Sequence, residues 1–402
     1  MATRGTRDSR QRGAGLVETM VGILIGLIVV LVIYNLLSAT EGYKRMANGA
    51  SDAQVTGLLS QFILGREAGN GGNGISLSAG DLINCTAGSP WRPIPVLVHD
   101  SGDDDISDSF TTLYSSSSHV VWPVVFTTNV AAAADPLIVQ SPNGFTVPAP
   151  SAAAPYRVIA VNPTTGDCEL AEVVAATAPD AFGRVTLTQG GAYQTTKAYS
   201  TTNGKLVNLG PAGQAARMQF EARNASTKTP CDSSGATQPL CQLYSRDLFV
   251  QNPQWNPIAQ NVVLMKVQYG VDLTGTIDGR VDCWTPANNT VVGTADCPAG
   301  AGIATDYRDV TVPTFALVNV QRIVAVRVGI VVRDDEPDTK ATQNGQLVYA
   351  TRPPLYLFNC AANDNTCLGR IRLSNNVIRD GWRYRTYETV IPLRNAIFND
   401  LP

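Results

Sequence analysis

The sequence predicts an α+β protein, with a long N-terminal helix, transmembrane in its first half, packed on a large antiparallel β domain stapled by disulfides. Three observations predict it. A basic segment runs directly into a long apolar stretch, and no Pro occurs before Pro90, so nothing breaks a helix across that region. Beyond Trp91 the chain turns into short β-type runs separated by Gly, Pro, Asn and Ser. Eight Cys, an even number, mark an oxidising compartment.

The helix comes first. Arg4, Arg7, Arg10 and Arg12 precede Gly13, and Ala14–Leu37 follows as 24 positions whose only charge is Glu18. At helical rise this run reaches about 36 Å, enough for a hydrocarbon core of about 30 Å. The basic residues hold the N-terminus in the cytoplasm. Glu18 is the anomaly, since a carboxylate at that depth costs about 2.5–3.5 kcal/mol on insertion scales and calls for a positive partner. A secretory signal has its small residues after the apolar run, whereas Gly13, Ala14 and Gly15 stand before it, so a cut there removes the basic leader and keeps the anchor. Gly22 and Gly26 form G-x-x-x-G, a pattern that permits close helix approach.

Past Leu37, Val55, Leu58, Leu59, Phe62 and Ile63 recur at helical spacing, so the helix is expected to continue with one apolar stripe on the core and to end between Gly65 and Gly74. Gly69, Gly71 and Gly74 spell G-x-G-x-x-G but follow a helix instead of a strand, and read as a flexible helix exit. The expected strands are 94–98, 120–126, 156–161, 185–187, 262–269, 323–332, 347–357 and 384–391. Residues 131–155 and 224–239 read as surface connections.

The cysteines fall into near pairs, Cys231 with Cys241, Cys283 with Cys297 and Cys360 with Cys367, leaving Cys85 and Cys168. Eight Cys allow about 105 connectivities, and short loops alone favour this one. Without residues 1–13 the chain has 26 basic against 32 acidic residues, a charge of −6, which argues against broad phosphate binding. The acidic run Asp100, Asp103, Asp104, Asp105, Asp108 is a solvated loop or a calcium site without EF-hand spacing. His99 and His119 lack any hydrolase context, and no catalytic constellation or cofactor motif is present.

Gly13, an apolar helix and Glu18 five positions on resemble the prepilin peptidase motif of type IV pilins and type II secretion pseudopilins. Ala14 stands where relatives usually have Phe or Met. The resemblance implies cleavage after Gly13, N-methylation of Ala14, and pairing of that amine with Glu18 of a neighbouring subunit during filament assembly. Val262–Asp272 before Asp278-Gly279 and Asp282, the strand Ile323–Arg333, and Tyr384–Asn395 closing on Arg394-Asn395 resemble the PilW family of minor type IV pilins. In relatives the turn after Asp272 is denser in Asp, so Asp272, Asp278 and Asp282 are the calcium candidates here.

That resemblance implies a non-enzymatic minor pilin that initiates pilus assembly near the tip and supports adhesion, twitching motility or DNA uptake. Its partners would be other minor pilins, the major pilin, prepilin peptidase, the inner-membrane platform and a tip adhesin, with no direct nucleic-acid binding. Residues 1–13 would be the leader, 14–37 the membrane and filament-core helix, 38–68 its amphipathic continuation, and 75–402 a periplasmic, later pilus-exposed body. The alternatives are a J-type pseudopilin of type II secretion and a membrane-anchored ligand-binding protein.

Overall fold

The computed structural model describes residues 15–75, 85, 94–115, 123–131, 135–142, 144–145, 155–234, 239–250, 252–273, 278–287, 320–335, 342–343, 346–347, 354–358, 370–379 and 381–397. Helix α1 runs Leu16–Asn70. The chain divides into two units, residues 1–52 and 53–402. In its described part the first is helix, with Leu16–Ser38 unburied and long and apolar enough to cross a membrane.

The second unit is antiparallel β. In chain order come β1 (Val96–His99), β2 (Ser109–Ser115), β3 (Val124–Val125), β4 (Leu137–Val139), β5 (Tyr156–Asn162), β6 (Asp167–Ala176) and β7 (Val185–Gln189). There follow β8 (Lys205–Pro211), β9 (Ala215–Asn224), β10 (Cys241–Asp247), β11 (Asn256–Gln260), β12 (Val262–Val271), β13 (Cys283–Pro286) and β14 (Ile323–Arg333). Last are β15 (Thr342–Gln343), β16 (Gln346–Leu347), β17 (Tyr356–Leu357), β18 (Ile371–Arg372) and β19 (Tyr384–Pro392). A short helix, Arg394–Ile397, ends the described chain.

Among the described residues three large sheets form, in the orders β1-β2-β9-β10-β11, β13-β12-β14-β19 and β3-β8-β5-β6-β7-β4. β12 and β14 are buried along their whole length, which is why they read as near-continuous apolar runs. One core gathers Ala53, Leu64 and Ala68 of α1 with Val96 and Val98 of β1, Phe110, Phe220 and the inner residues of β12 and β14. The six-stranded sheet has its own core around Val158, Val173, Val185 and Leu206. Cys231–Cys241 lies within the first of these cores and Cys85–Cys168 in a further cluster with Ile159, Val161 and Val207, and both are disulfides, as the near-pair reading expects. Cys283 is disulfide-bonded, and Cys297, Cys360 and Cys367 lie outside the described residues.

Several expectations change. The helix continues to Asn70, but its apolar stripe faces out: Val55, Leu58, Leu59 and Phe62 are 61, 52, 47 and 65 % exposed, and only Ile63 packs partly on the core. The buried face is Ala53, Gly57, Ser60, Leu64, Glu67 and Ala68. The reason is proximity. Tyr387 of β19 donates its hydroxyl to Ala53 O at 3.2 Å, and a Cβ at Gly57 would sit inside its ring, so only small residues admit the sheet this close.

The helix exit is not flexible but clamped. Gly72 N–H donates to Leu113 O at 2.8 Å, Asn73 Nδ2 to Ser115 O at 3.0 Å, and a Cβ at Gly71 would meet Val96 at 2.6 Å. Asn395 Nδ2 donates to Gly71 O at 3.0 Å, which gives that half of Arg394-Asn395 a structural role. The connection 131–155 contains β4, buried at Leu137 and Val139. Strands β2, β6, β9 and β10 escaped the periodicity reading because Thr, Glu and Arg interrupt their apolar faces.

Gly57→Leu is expected to cost about 1–3 kcal/mol through overpacking against Tyr387. A matching drop in the urea midpoint of the full chain, absent from Leu58→Gln on the exposed face, is the check.

Candidate functional site

Glu18 lies in the first turn of α1, its side chain exposed, with its N–H donating to Gly15 O at 2.8 Å. A carboxylate there also complements the positive end of the helix dipole. Gly13 and Ala14 lie outside the described residues. A Cβ at Gly22 or Gly26 would meet nothing within 4 Å, so both present bare backbone to whatever surrounds the apolar span.

On the second half of α1 the buried charge is Glu67. It accepts the Tyr114 hydroxyl at 2.6 Å and is paired with Arg66 at 2.6 Å, tying the helix to β2. Burial, and then the Glu67 carboxylate, hold the Tyr114 phenol well above its ordinary value.

The acidic run is organised by a cation of the chain itself. Lys266, on the fully buried strand β12, carries its ammonium to Asp108 Oδ1 at 2.8 Å, Asp103 O at 2.8 Å, Ile106 O at 3.1 Å and Ser101 Oγ at 3.2 Å. Four oxygens from one loop thus surround one positive charge, in the place where a calcium reading would seat a metal. Asp108 Oδ2 also accepts Val267 N–H at 3.0 Å, and Asp105 accepts Ser374 Oγ at 2.6 Å and Asn376 Nδ2 at 3.1 Å. The run is therefore an exposed loop at Asp103 and Asp104, as expected, and a bracket between the two sheets of the main core at Asp105 and Asp108. The signal in the sequence was the single Lys inside the apolar run Val262–Val267.

Asp272 uses its carboxylate in the same structural way. Its Oδ2 accepts Asp278 N–H at 2.7 Å and Gly279 N–H at 2.9 Å, while Asp282 Oδ2 accepts Leu273 N–H at 2.7 Å. Gly279 has φ +78°, as that turn requires. These bonds close the turn between β12 and β13, and among the described residues no group of three metal-capable side chains forms. His99 sits at the end of β1 opposite Ser109, and His119 lies outside the described residues.

The strands β12, β14 and β19, with the Asp272 turn and the Asn395 clasp, make one unit. Residues 232–395 match the family model PilW, type IV pilus-assembly protein W. The segments read as PilW-like from the sequence, 262–283 and 323–395, fall inside the match, and residues 10–65 precede it. The match supports a pilus-assembly-related reading of that part of the chain, and the apolar span of α1 is compatible with membrane anchoring. No curated protein and no solved structure matches the chain.

The buried pair yields two expectations. Lys266→Ala leaves Asp108 without its partner and is expected to cost about 3–5 kcal/mol, measured as the urea midpoint. Burial pushes the Asp108 carboxyl up to about 6 against the pull of Lys266. Since the folded value lies above the ordinary one, the folded chain binds this proton first on acidification. The stability contributed by that protonation is complete below about pH 4 and is lost as pH rises through about 6. Asp108→Asn is expected to remove that fall from a plot of urea midpoint against pH.

Proposed function

We propose that this protein is a minor type IV pilin that takes part in initiating pilus assembly. The observation that carries the reading is the PilW match over residues 232–395, joined in one chain to an N-terminal span whose charge is a single first-turn carboxylate. The match covers the C-terminal part of the β body, from β10 onward, and in this reading the span supplies the means of storage in the inner membrane before assembly.

In this reading prepilin peptidase cuts after Gly13 and the new Ala14 amine is methylated. The amine remains cationic and meets Glu18 of an adjacent pilin inside the apolar filament core, where neither charge has water to fall back on. Gly22 and Gly26 let neighbouring helices approach, and Val55, Leu58, Leu59 and Phe62 add a further apolar contact surface. The β body stays periplasmic until assembly carries it to the cell surface near the pilus tip, beside other minor pilins, the major pilin and a tip adhesin. Adhesion, twitching motility and DNA uptake would follow from the filament it helps to start.

Intact mass and N-terminal peptide mapping of the membrane-extracted chain test the first step. A mature chain that begins at N-methylated Ala14 only when prepilin peptidase is present is the expected result, and an uncut leader or a cut beyond Leu37 would overturn the pilin reading. For the docking step, Glu18→Ala is expected to insert normally yet fall roughly tenfold or more in sheared pili, the equivalent of one poorly solvated charge pair. Undiminished recovery of that variant would refute the Glu18 role.

A further inference from the structure

Beside the edge of β19 that no described strand pairs, helix α1 leaves an open groove of about 370 Å³ lined by Gly65, Arg66, Gly69, Thr389, Val390 and Arg394. In an antiparallel pair alternate residues turn their N–H and C=O away from the partner strand. Leu393 N–H donates to Val324 O at 2.9 Å, and this sets the phase along the register with β14. Glu388 and Val390 therefore turn their backbone groups outward. Gln61 of α1 donates to Glu388 O, so the helix itself covers that position. At Val390 no such cover exists: its side chain is 59 % exposed, and among the described residues its N–H and C=O have no partner.

Among the described residues nothing accounts for the bare helix side of the groove. A Cβ at Gly65 would meet nothing within 4 Å, and one at Gly69 only Ile391 Cγ2 at 3.8 Å. Gly65 lies in the helix interior, where Gly is less stable than Ala, and Gly69 lies in the last turn. Gly57 and Gly71, by contrast, are required by Tyr387 and Val96. Filling Gly65 and Gly69 would strengthen the helix and close the groove. Two cations flank the opening. Arg394 is exposed and forms no ion pair among the described residues, and the Arg66 side chain is 58 % exposed, with Nε and Nη2 on Glu67 and Nη1 turned elsewhere.

We propose that this groove receives an extended acidic segment of a partner protein. Its backbone would pair with Val390, and its carboxylates would meet Arg394 and Arg66. An unpaired edge amide and carbonyl select a peptide over a simple anion, the glycine floor admits main chain where a side chain would block it, and the paired guanidinium groups select negative charge. The inference is independent of filament formation.

The test uses the full chain in detergent micelles, where no filament forms, with fluorescein-labelled eight-residue peptides alternating Glu with Val or Lys with Val. Fluorescence anisotropy is expected to show saturable binding of the acidic peptide alone. Arg394→Glu and Gly65→Leu are each expected to weaken it by roughly tenfold or more, with thermal midpoints no lower than that of the unaltered chain. Methylating alternate peptide nitrogens is expected to abolish binding. Absence of binding, equal binding of the Lys peptide, or indifference to both substitutions would overturn the proposal. Binding that appears only after residues 398–402 are removed would overturn it in favour of the chain's own end as occupant.

Discussion

The docking of the second half of α1 on the β body rests on one constraint: the helix must approach the sheets almost backbone to side chain. Ala53, Gly57, Ser60 and Ala68 meet this demand, with Leu64 filling the core beside them, and the Tyr387 ring and β1 close over this face. A face of larger residues would hold the helix off, opening the common core of α1, β1, β12 and β14 and breaking the clasp from Asn395 to Gly71. Glu67 adds a polar fastening on the same face through Tyr114.

The same constraint explains where the large apolar residues go. A helix has one circumference to share, and with the small residues committed inward, Val55, Leu58, Leu59 and Phe62 are turned out. Exposed apolar side chains at successive helical positions are an unsatisfied surface for a soluble monomer and an ordinary one for an assembly subunit. The groove at Gly65 and Gly69 belongs to the same economy, being the stretch where the helix neither packs tightly on its own domain nor fills the space with side chains.

Within the β body, charge is used to place loops. Lys266 gathers the 101–108 loop around its ammonium, Asp272 and Asp282 gather the turn after β12, and Arg327 lies between Trp284 and Phe358 while bonded to Gln268. Burial pulls that guanidinium down to about 9. Lys266, Asp272 and Arg327 are buried polar groups satisfied within the chain, and Asp282 is an exposed one, so clusters that look from the sequence like ligand sites are brackets of the fold.

Sequence alone determined the parts governed by local periodicity and by residue chemistry at short range. The helix, its apolar span, the anomalous Glu18, the strands Val262–Val271, Ile323–Arg333 and Tyr384–Pro392, and the pairing of Cys231 with Cys241 all follow from spacing within a few turns or one loop. Tertiary structure decided whatever depends on distant neighbours. It chose the inward face of α1 because Tyr387, more than three hundred residues away in sequence, occupies the space beside Gly57. It set Lys266 against Asp108 across 158 residues, and it left Val390 at an open edge because, among the described residues, β19 has a strand on one side only. Periodicity reports which faces of an element are apolar; only packing decides which of them the chain covers itself and which it leaves for others.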